Sequence, residues 1–258
     1  VFHLVARTLG RRPLFHDWHE GAALWLRATA AVPGLAAFVL MPDHLHLVHP
    51  HDVRLRLAAA LGDHVRWMHA RRGTHGRWLE PLPPAEPLVD ATKARRTVRY
   101  VHLNPCRAHL AVDPLAWPFS THRDRLGCAA RPVLPQARDP EAFHRYVSSD
   151  PSVDPTGTPL PARALATRDL ERLAEAVSSA ARTPLGDLRA RGPARTLFLS
   201  SAATLAPEVP RHEVAAWAGV SRHAAWRAAR CPPGPVDAVA RCLGDDRLRA
   251  LAGRVGRR

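Results

Sequence analysis

The chain has 258 residues, 46% of them hydrophobic, which excludes a mainly disordered polymer and provides core for one large or two ordinary domains. Its formal charge of +14 comes from 37 basic against 23 acidic residues, and Lys93 is the single lysine, so nearly all the positive charge is guanidinium. Such an excess favours a polyanionic partner, because arginine's planar fork fits phosphate, although codon bias toward Ala, Pro and Arg would leave the same imbalance.

In chain order, Val1 already lies inside a strand-like segment, which reads as a nonstandard start or a missing first few residues. Phe2 to Thr8 alternates as a strand, with Phe2, Leu4 and Ala6 on one face, and Gly10-Arg11-Arg12-Pro13 turns the chain. Asp17 is placed to cap a helix running to about Ala31, with Ala22, Trp25, Leu26 and Ala30 as its apolar positions. Pro33-Gly34 ends it. The apolar run Leu35 to Leu40, the turn Met41-Pro42-Asp43 and the alternation His44 to Val48 predict a strand hairpin. Val53 to Arg71 reads as a second amphipathic helix with Leu57, Leu61, Val65 and Met68 inward, and Trp78 to Val89 as a weak, proline-rich strand. Asp90 then caps a helix that carries Tyr100 and stops near Pro105. This order predicts an α+β domain with a ferredoxin-like antiparallel sheet and packed helices.

Residues 129 to 162 hold seven prolines and read as a linker, with at most a short helix around Glu141 to Val147. Beyond it the pattern is helical: Asp169 to Ala181, Pro184 to Arg191, Ala194 to Leu205, Glu213 to Ala218 and Arg222 to Ala229. The last two, joined at Gly219-Val220-Ser221, have helix-turn-helix spacing, with Arg222, His223 and Arg227 outward toward DNA; a plain helical hairpin with a solvated face would share the pattern. The expected division is therefore 1–128, a linker 129–162, and a small all-helical domain 163–258 with the helix-turn-helix. Cys106, Cys128, Cys231 and Cys242 are widely spaced and read as reduced thiols, neither a disulfide frame nor a zinc site. The longest apolar stretch, Ala30 to Pro42, is far shorter than the roughly 20 residues of a membrane span, and no signal peptide is visible. The expectation is a cytoplasmic protein with no membrane partner.

Two motifs carry chemistry. In Met41-Pro42-Asp43-His44-Leu45-His46-Leu47-Val48, strand periodicity puts His44 and His46 on one face, near enough to share a cation. In Arg99-Tyr100-Val101-His102-Leu103-Asn104-Pro105, helical periodicity makes Tyr100 and Asn104 neighbours. Alone, an H-x-H pair is usually surface and a helical tyrosine usually core. If the helix packs over the histidine face, Asn104 supplies an oxygen to a metal and Tyr100 reaches a phosphate held there, a mixed set that suits Mg2+ or Mn2+. A phenol ordinarily ionises near pH ~10, so the nucleophile would need cationic help. His3, His49, His51, His69 and His102 add imidazoles near the proposed site, read as phosphate contacts and not as ligands. Tyr146, without an accompanying amide, reads as a packing anchor.

These segments, together with Phe2 to Phe15, Asp113 to Gly127 and the tail Trp117-Pro118-Phe119-Ser120-Thr121, resemble the REP-associated tyrosine transposases, relatives of the single-tyrosine insertion-sequence transposases of the HUH nuclease superfamily. The resemblance covers residues 1 to 128. It implies the HUH nuclease fold and a metal-dependent single-strand DNA endonuclease and strand-transferase, with His44, His46 and Asn104 as metal ligands and Tyr100 attacking DNA to give a 5′-phosphotyrosine link. Arg11, Arg12, Arg99 and Arg107 are the expected DNA contacts of this part. Single-stranded or hairpin DNA is the expected partner, and a homodimer is a candidate assembly. The sequence departs from the family between the second helix and the tyrosine helix, where a Gln-Gly-Arg-aromatic run is replaced by Gly76 to Pro84, whose prolines cannot donate sheet hydrogen bonds. A catalytically silent DNA-binding or regulatory derivative is the alternative, and a rolling-circle initiator or relaxase shares the chemistry.

Overall fold

Alternating apolar residues in the first fifty positions produce β1 (Phe2–Arg7), β2 (Ala37–Leu40) and β3 (His44–His49) in a computed structural model that describes residues 1–154, 159–160, 162, 164–228 and 235–249. With β4 (Glu86–Pro87) they form a four-stranded antiparallel sheet in the order β2-β3-β1-β4. The fold is mixed α/β. β1 and β2, linked through α1 (Trp18–Ala31), are held apart by β3, the split β-α-β arrangement that the order of elements predicts.

Register decides which side chains share a face. His3, Val5 and Arg7 of β1 lie opposite Val48, His46 and His44 of β3, so these six project to one side of the sheet. Leu4, Ala6, Leu45, Leu47 and Phe38 project to the other, where Trp25 of α1 meets Phe38 with ring centroids 5.1 Å apart. α3 (Ala91–Arg107) covers the histidine face, with the Tyr100 ring 5.4 Å from that of His46.

The helices start where the caps predict. Asp17 Oδ1 accepts from the Glu20 amide at 2.8 Å, and Asp90 Oδ1 accepts from the Lys93 amide at 2.7 Å. Ala22 and Trp25 of α1 and Leu57, Leu61 and Met68 of α2 are buried as expected, and three of the expected positions are not. In α1, Leu26 is 61% exposed and Ala30 is also exposed, while Leu24, Ala28 and Thr29 are buried. In α2 (Arg54–Arg72), Val65 is only half-buried and His64 takes the core position, because its ring can satisfy the Leu14 carbonyl at 3.0 Å where valine cannot. Gly21 on α1 lies so close to the Phe119 ring that a Cβ there would stand 2.7 Å from it.

Prolines shape the next segment. Leu9 N donates to Trp78 O and Glu80 N to Arg7 O, both at 2.9 Å, and pairing resumes at Glu86-Pro87 opposite Phe2 and His3. Pro81, Pro83 and Pro84 fall in the gap between these two patches, so the sheet edge is interrupted there and not displaced. On the opposite edge, Trp117–Thr121 adds to β2: Leu40 N donates to Phe119 O and Thr121 N to Phe38 O, both at 2.9 Å, and Trp117 Nε1 donates to Leu40 O at 2.8 Å.

The remaining helices are α4 (His122–Arg125), α5 (Pro140–Ser148), α6 (Leu170–Ala181), α7 (Pro193–Leu205), α8 (Arg211–Trp217), α9 (Arg222–Ala228), α10 (Val236–Gly244) and α11 (Asp246–Arg249). The helix expected over Pro184 to Arg191 is only a 3-10 turn at Leu185–Leu188, since Gly186 interrupts a run too short to propagate. The proline-rich stretch is structured around α5, where Val147 packs with Leu103, Cys106, Val153 and the flank of Tyr146. One apolar core lies around the sheet with α1, and a second gathers α6, α7 and α10 with Leu115, Leu126 and Cys128.

Two buried arginines brace these cores, Arg123 within the second and Arg182 between the two. Arg123 is fully buried and donates to Leu115 O at 2.8 Å, Ser179 Oγ at 2.7 Å and Leu248 O at 3.1 Å. Arg182, just past α6, donates to Pro118 O at 2.7 Å, pairs with the Asp124 carboxylate and lies 4.2 Å from the Trp25 ring centroid. Cys106, Cys128 and Cys242 are free and buried, which pushes the first two thiols up to about 12 and the third to about 11; Cys231 lies outside the described residues. No helix among the described residues is long and apolar enough to cross a membrane.

Candidate metal and tyrosine site

The site is built on the exposed end of the histidine face. His44 opens β3 and His46 follows two residues on, their ring centroids 5.1 Å apart and nearly perpendicular. Each has one ring nitrogen fixed by a neighbour. His44 Nδ1 meets Asp43 Oδ1 at 2.6 Å, and His46 Nδ1 meets His3 Nε2 at 3.1 Å. Both pairings leave Nε2 as the nitrogen available to a cation. Burial first, then the neighbouring charges of His44, His3 and Arg7, pushes the His46 pKa down to about 3, so at neutral pH its imidazole is the uncharged form that metals bind.

α3 supplies the rest. Tyr100 is 38% exposed and its ring stands edge-on to His46 at 5.4 Å and to His3 at 6.4 Å. Asn104, one turn on and buried, donates Nδ2 to the Tyr100 carbonyl at 3.0 Å, which leaves its Oδ1 as the acceptor atom not used in that bond. Two imidazoles and an amide oxygen are donors that a divalent cation can accept, with coordination positions left for water or phosphate. Among the described residues no group of three or more His, Cys, Asp or Glu could hold a metal, so any ion here depends on Asn104 or on a bound phosphate.

The expected DNA contacts lie in two places. Around the tyrosine, Arg107 sits over the Tyr100 ring with Cζ 5.3 Å from its centroid, and Arg99 sits at the same separation over Tyr146. Both are engaged by Asp150, at 2.9 Å from Arg107 and 3.8 Å from Arg99. Arg11 is exposed and reaches Asp43 at 3.4 Å; Arg12 lies over the Trp78 ring at 5.4 Å. In the helical part, α8 and α9 are joined through Gly219, at φ +64°, and Ser221 Oγ accepts from the Ala224 amide at 3.2 Å. Arg222, His223 and Arg227 are exposed on α9.

Of the five additional histidines, the structure brings only His3 to the site. His49 faces the opposite side of the sheet and meets Pro33 O at 3.0 Å, with His51 beside it. His69 contacts Thr74 and Gly76, and His102 is fully buried against Thr121 Oγ1 at 3.0 Å. Sequence reading missed Asp43, Glu86 and Asp150. Asp43 adjoins the H-x-H pair and was legible by proximity; the other two arrive through pairing and packing that no local pattern encodes.

No protein-family model matches the chain, and no curated protein matches it. Among solved structures, the chain is similar to a REP-associated tyrosine transposase bound to a REP hairpin, with 21% identity and a TM-score of 0.39 over 54% of this chain and 86% of that one.

Proposed function

We propose that the protein is a metal-dependent single-strand DNA endonuclease and strand-transferase of transposase type, with Tyr100 as nucleophile and His44, His46 and Asn104 as the residues that hold Mg2+ or Mn2+. The observation that carries this reading is the packing of Tyr100 against His46, with the Nδ1 atoms of both strand histidines occupied and their Nε2 atoms left over. When bound, the ion supplies Lewis-acid polarisation of the scissile phosphate and charge neutralisation.

The chain's own residues do the remainder. Tyr100 Oη forms a bond to phosphorus, the P–O3′ bond breaks, and the 3′-oxygen leaves with a proton as a hydroxyl. The phenolic proton passes to solvent, to which the 38% exposed side chain has access. Attack by a 3′-hydroxyl on the phosphotyrosine reverses the step on another strand and conserves the bond energy, so no nucleotide cofactor is required. Arg107 places positive charge over the Tyr100 ring, and Arg99 shares its Asp150 partner, where a DNA backbone would lie. α9, through Arg222, His223 and Arg227, is the proposed second DNA contact, and a homodimer stays a candidate assembly.

The test incubates protein with Mn2+ or Mg2+ and labelled single-stranded hairpin DNA, then looks for a denaturant-resistant protein–DNA species. The expected adduct is present in wild type and absent in Tyr100→Phe, which still binds DNA. DNA binding with no adduct in wild type gives the alternative, a silent DNA-binding derivative.

A further inference from the structure

His3 and Glu86 lie outside the H-x-H pair and the tyrosine helix, yet the sheet delivers both to the back of the proposed metal ligand. They are register partners on β1 and β4. His3 Nδ1 lies 3.5 Å from Glu86 Oε2, and its Nε2 lies 3.1 Å from His46 Nδ1. The His3 and His46 rings are 7° from parallel with centroids 5.3 Å apart. Such a separation, with the nitrogens at 3.1 Å, puts the rings edge to edge and nearly coplanar, the geometry of an in-plane hydrogen bond and not of a face stack. The other Glu86 oxygen meets Lys93 Nζ at 2.9 Å at the start of α3, so the carboxylate is fixed from a second side.

We infer that Glu86 and His3 are positioning residues that lock the tautomer of His46, a reading that rests on His46 being a metal ligand. The direction of the relay follows from its end group. A carboxylate only accepts, so His3 must carry its single proton on Nδ1; its Nε2 then accepts, and His46 must donate from Nδ1. His46 Nε2 is thereby left with its lone pair, before any ion arrives. The opposite arrangement would face a bare imidazole nitrogen toward a carboxylate. His44 receives the corresponding support from Asp43 alone, at 2.6 Å, so the two ligands have separate orienting partners.

The tautomer is read directly from two-bond 1H–15N correlations of the histidine rings in metal-free protein, and Mn2+ affinity is measured alongside by titration. The expected result is a His46 Nδ1–H tautomer in wild type, lost or mixed in His3→Ala and retained in His3→Gln, whose amide oxygen can accept the same proton. Mn2+ affinity should fall by roughly 10- to 100-fold in His3→Ala and recover substantially in His3→Gln. An Nε2–H tautomer in wild type, or an unchanged tautomer in His3→Ala, overturns the inference. If wild type binds no Mn2+ while the tautomer responds as expected, the metal reading fails and the lock stands. Melting of His3→Gln checks that the fold survives; should His3→Ala not fold, the wild-type tautomer and its response in Glu86→Gln decide.

Discussion

Asp150 holds Arg107 by a 2.9 Å ion pair while the same guanidinium lies over the Tyr100 ring. Ser152 fixes the carboxylate in turn, its amide and hydroxyl donating to Oδ1 at 3.1 and 2.6 Å. An acidic side chain from the proline-rich stretch therefore sits where a phosphate would compete for Arg99 and Arg107. Asp150→Asn should tighten single-stranded DNA binding and steepen its salt dependence by roughly 0.7 in log–log slope for each arginine released. Fluorescence anisotropy across a salt series checks this, and an unchanged slope would mean that DNA does not use these arginines.

The Asp124–Arg182 pair makes a stability prediction. Both side chains are buried, and Asp124 Oδ2 also accepts from the Val133 amide at 2.8 Å. Asp124→Ala strands a guanidinium in the interior and should cost about 3–5 kcal/mol in urea unfolding. Asp124→Asn, which keeps an acceptor, should cost less.

His64 makes a prediction in pH. It is fully buried, Arg27 Nη1 lies 3.2 Å from its Nδ1, and its Nε2 meets Leu14 O at 3.0 Å. Burial chiefly, with Arg27 and Arg72 adding to it and Leu14 O and Glu20 opposing, pushes its pKa down to about 4 from 6.5. The unfolded chain binds the proton more readily, so stability is complete above pH 6.5 and falls as pH drops from there toward 4. At about 1.4 kcal/mol per unit the loss is on the order of 3 kcal/mol. His64→Gln should flatten that part of a stability-versus-pH curve, and an undiminished slope would place the acid sensitivity elsewhere.

Gly21→Ala sets two effects against each other. Alanine favours a helix by up to about 1 kcal/mol, but its methyl would meet the buried Phe119 ring at 2.7 Å. Overpacking typically costs about 1–3 kcal/mol, so the variant should be the less stable by roughly 1 kcal/mol in thermal melts.

Much of the fold was legible because it is local. Asp17 and Asp90 announce their helices, and the alternation of His44 to Val48 fixes which side of β3 carries the histidines. Where local pattern failed, a tertiary partner had decided. Leu26 looks inward by hydrophobicity, yet the α1 face is set by Trp25 against Phe38. His64 looks outward, yet the Leu14 carbonyl needs a donor. Similarly His44, His46, Tyr100 and Asn104 were visible as periodic pairs, whereas Glu86 and Asp150 reach the site through register and packing. Proline interruption hid the first of these. A turn within a stretch read as a linker hid the second.

Arg123 gives the molecule a property of its own. Its charge is sealed inside, satisfied at once by carbonyls near residue 115 and by Leu248 O at the far end of the described chain. A version lacking α6 and α11 would bare that guanidinium's pocket and remove the Ser179 and Leu248 acceptors. A transplanted helical half would have to resupply both acceptors at the same place, so the segment that runs off the sheet edge into α4 and the last described helix are soldered through one sealed charge.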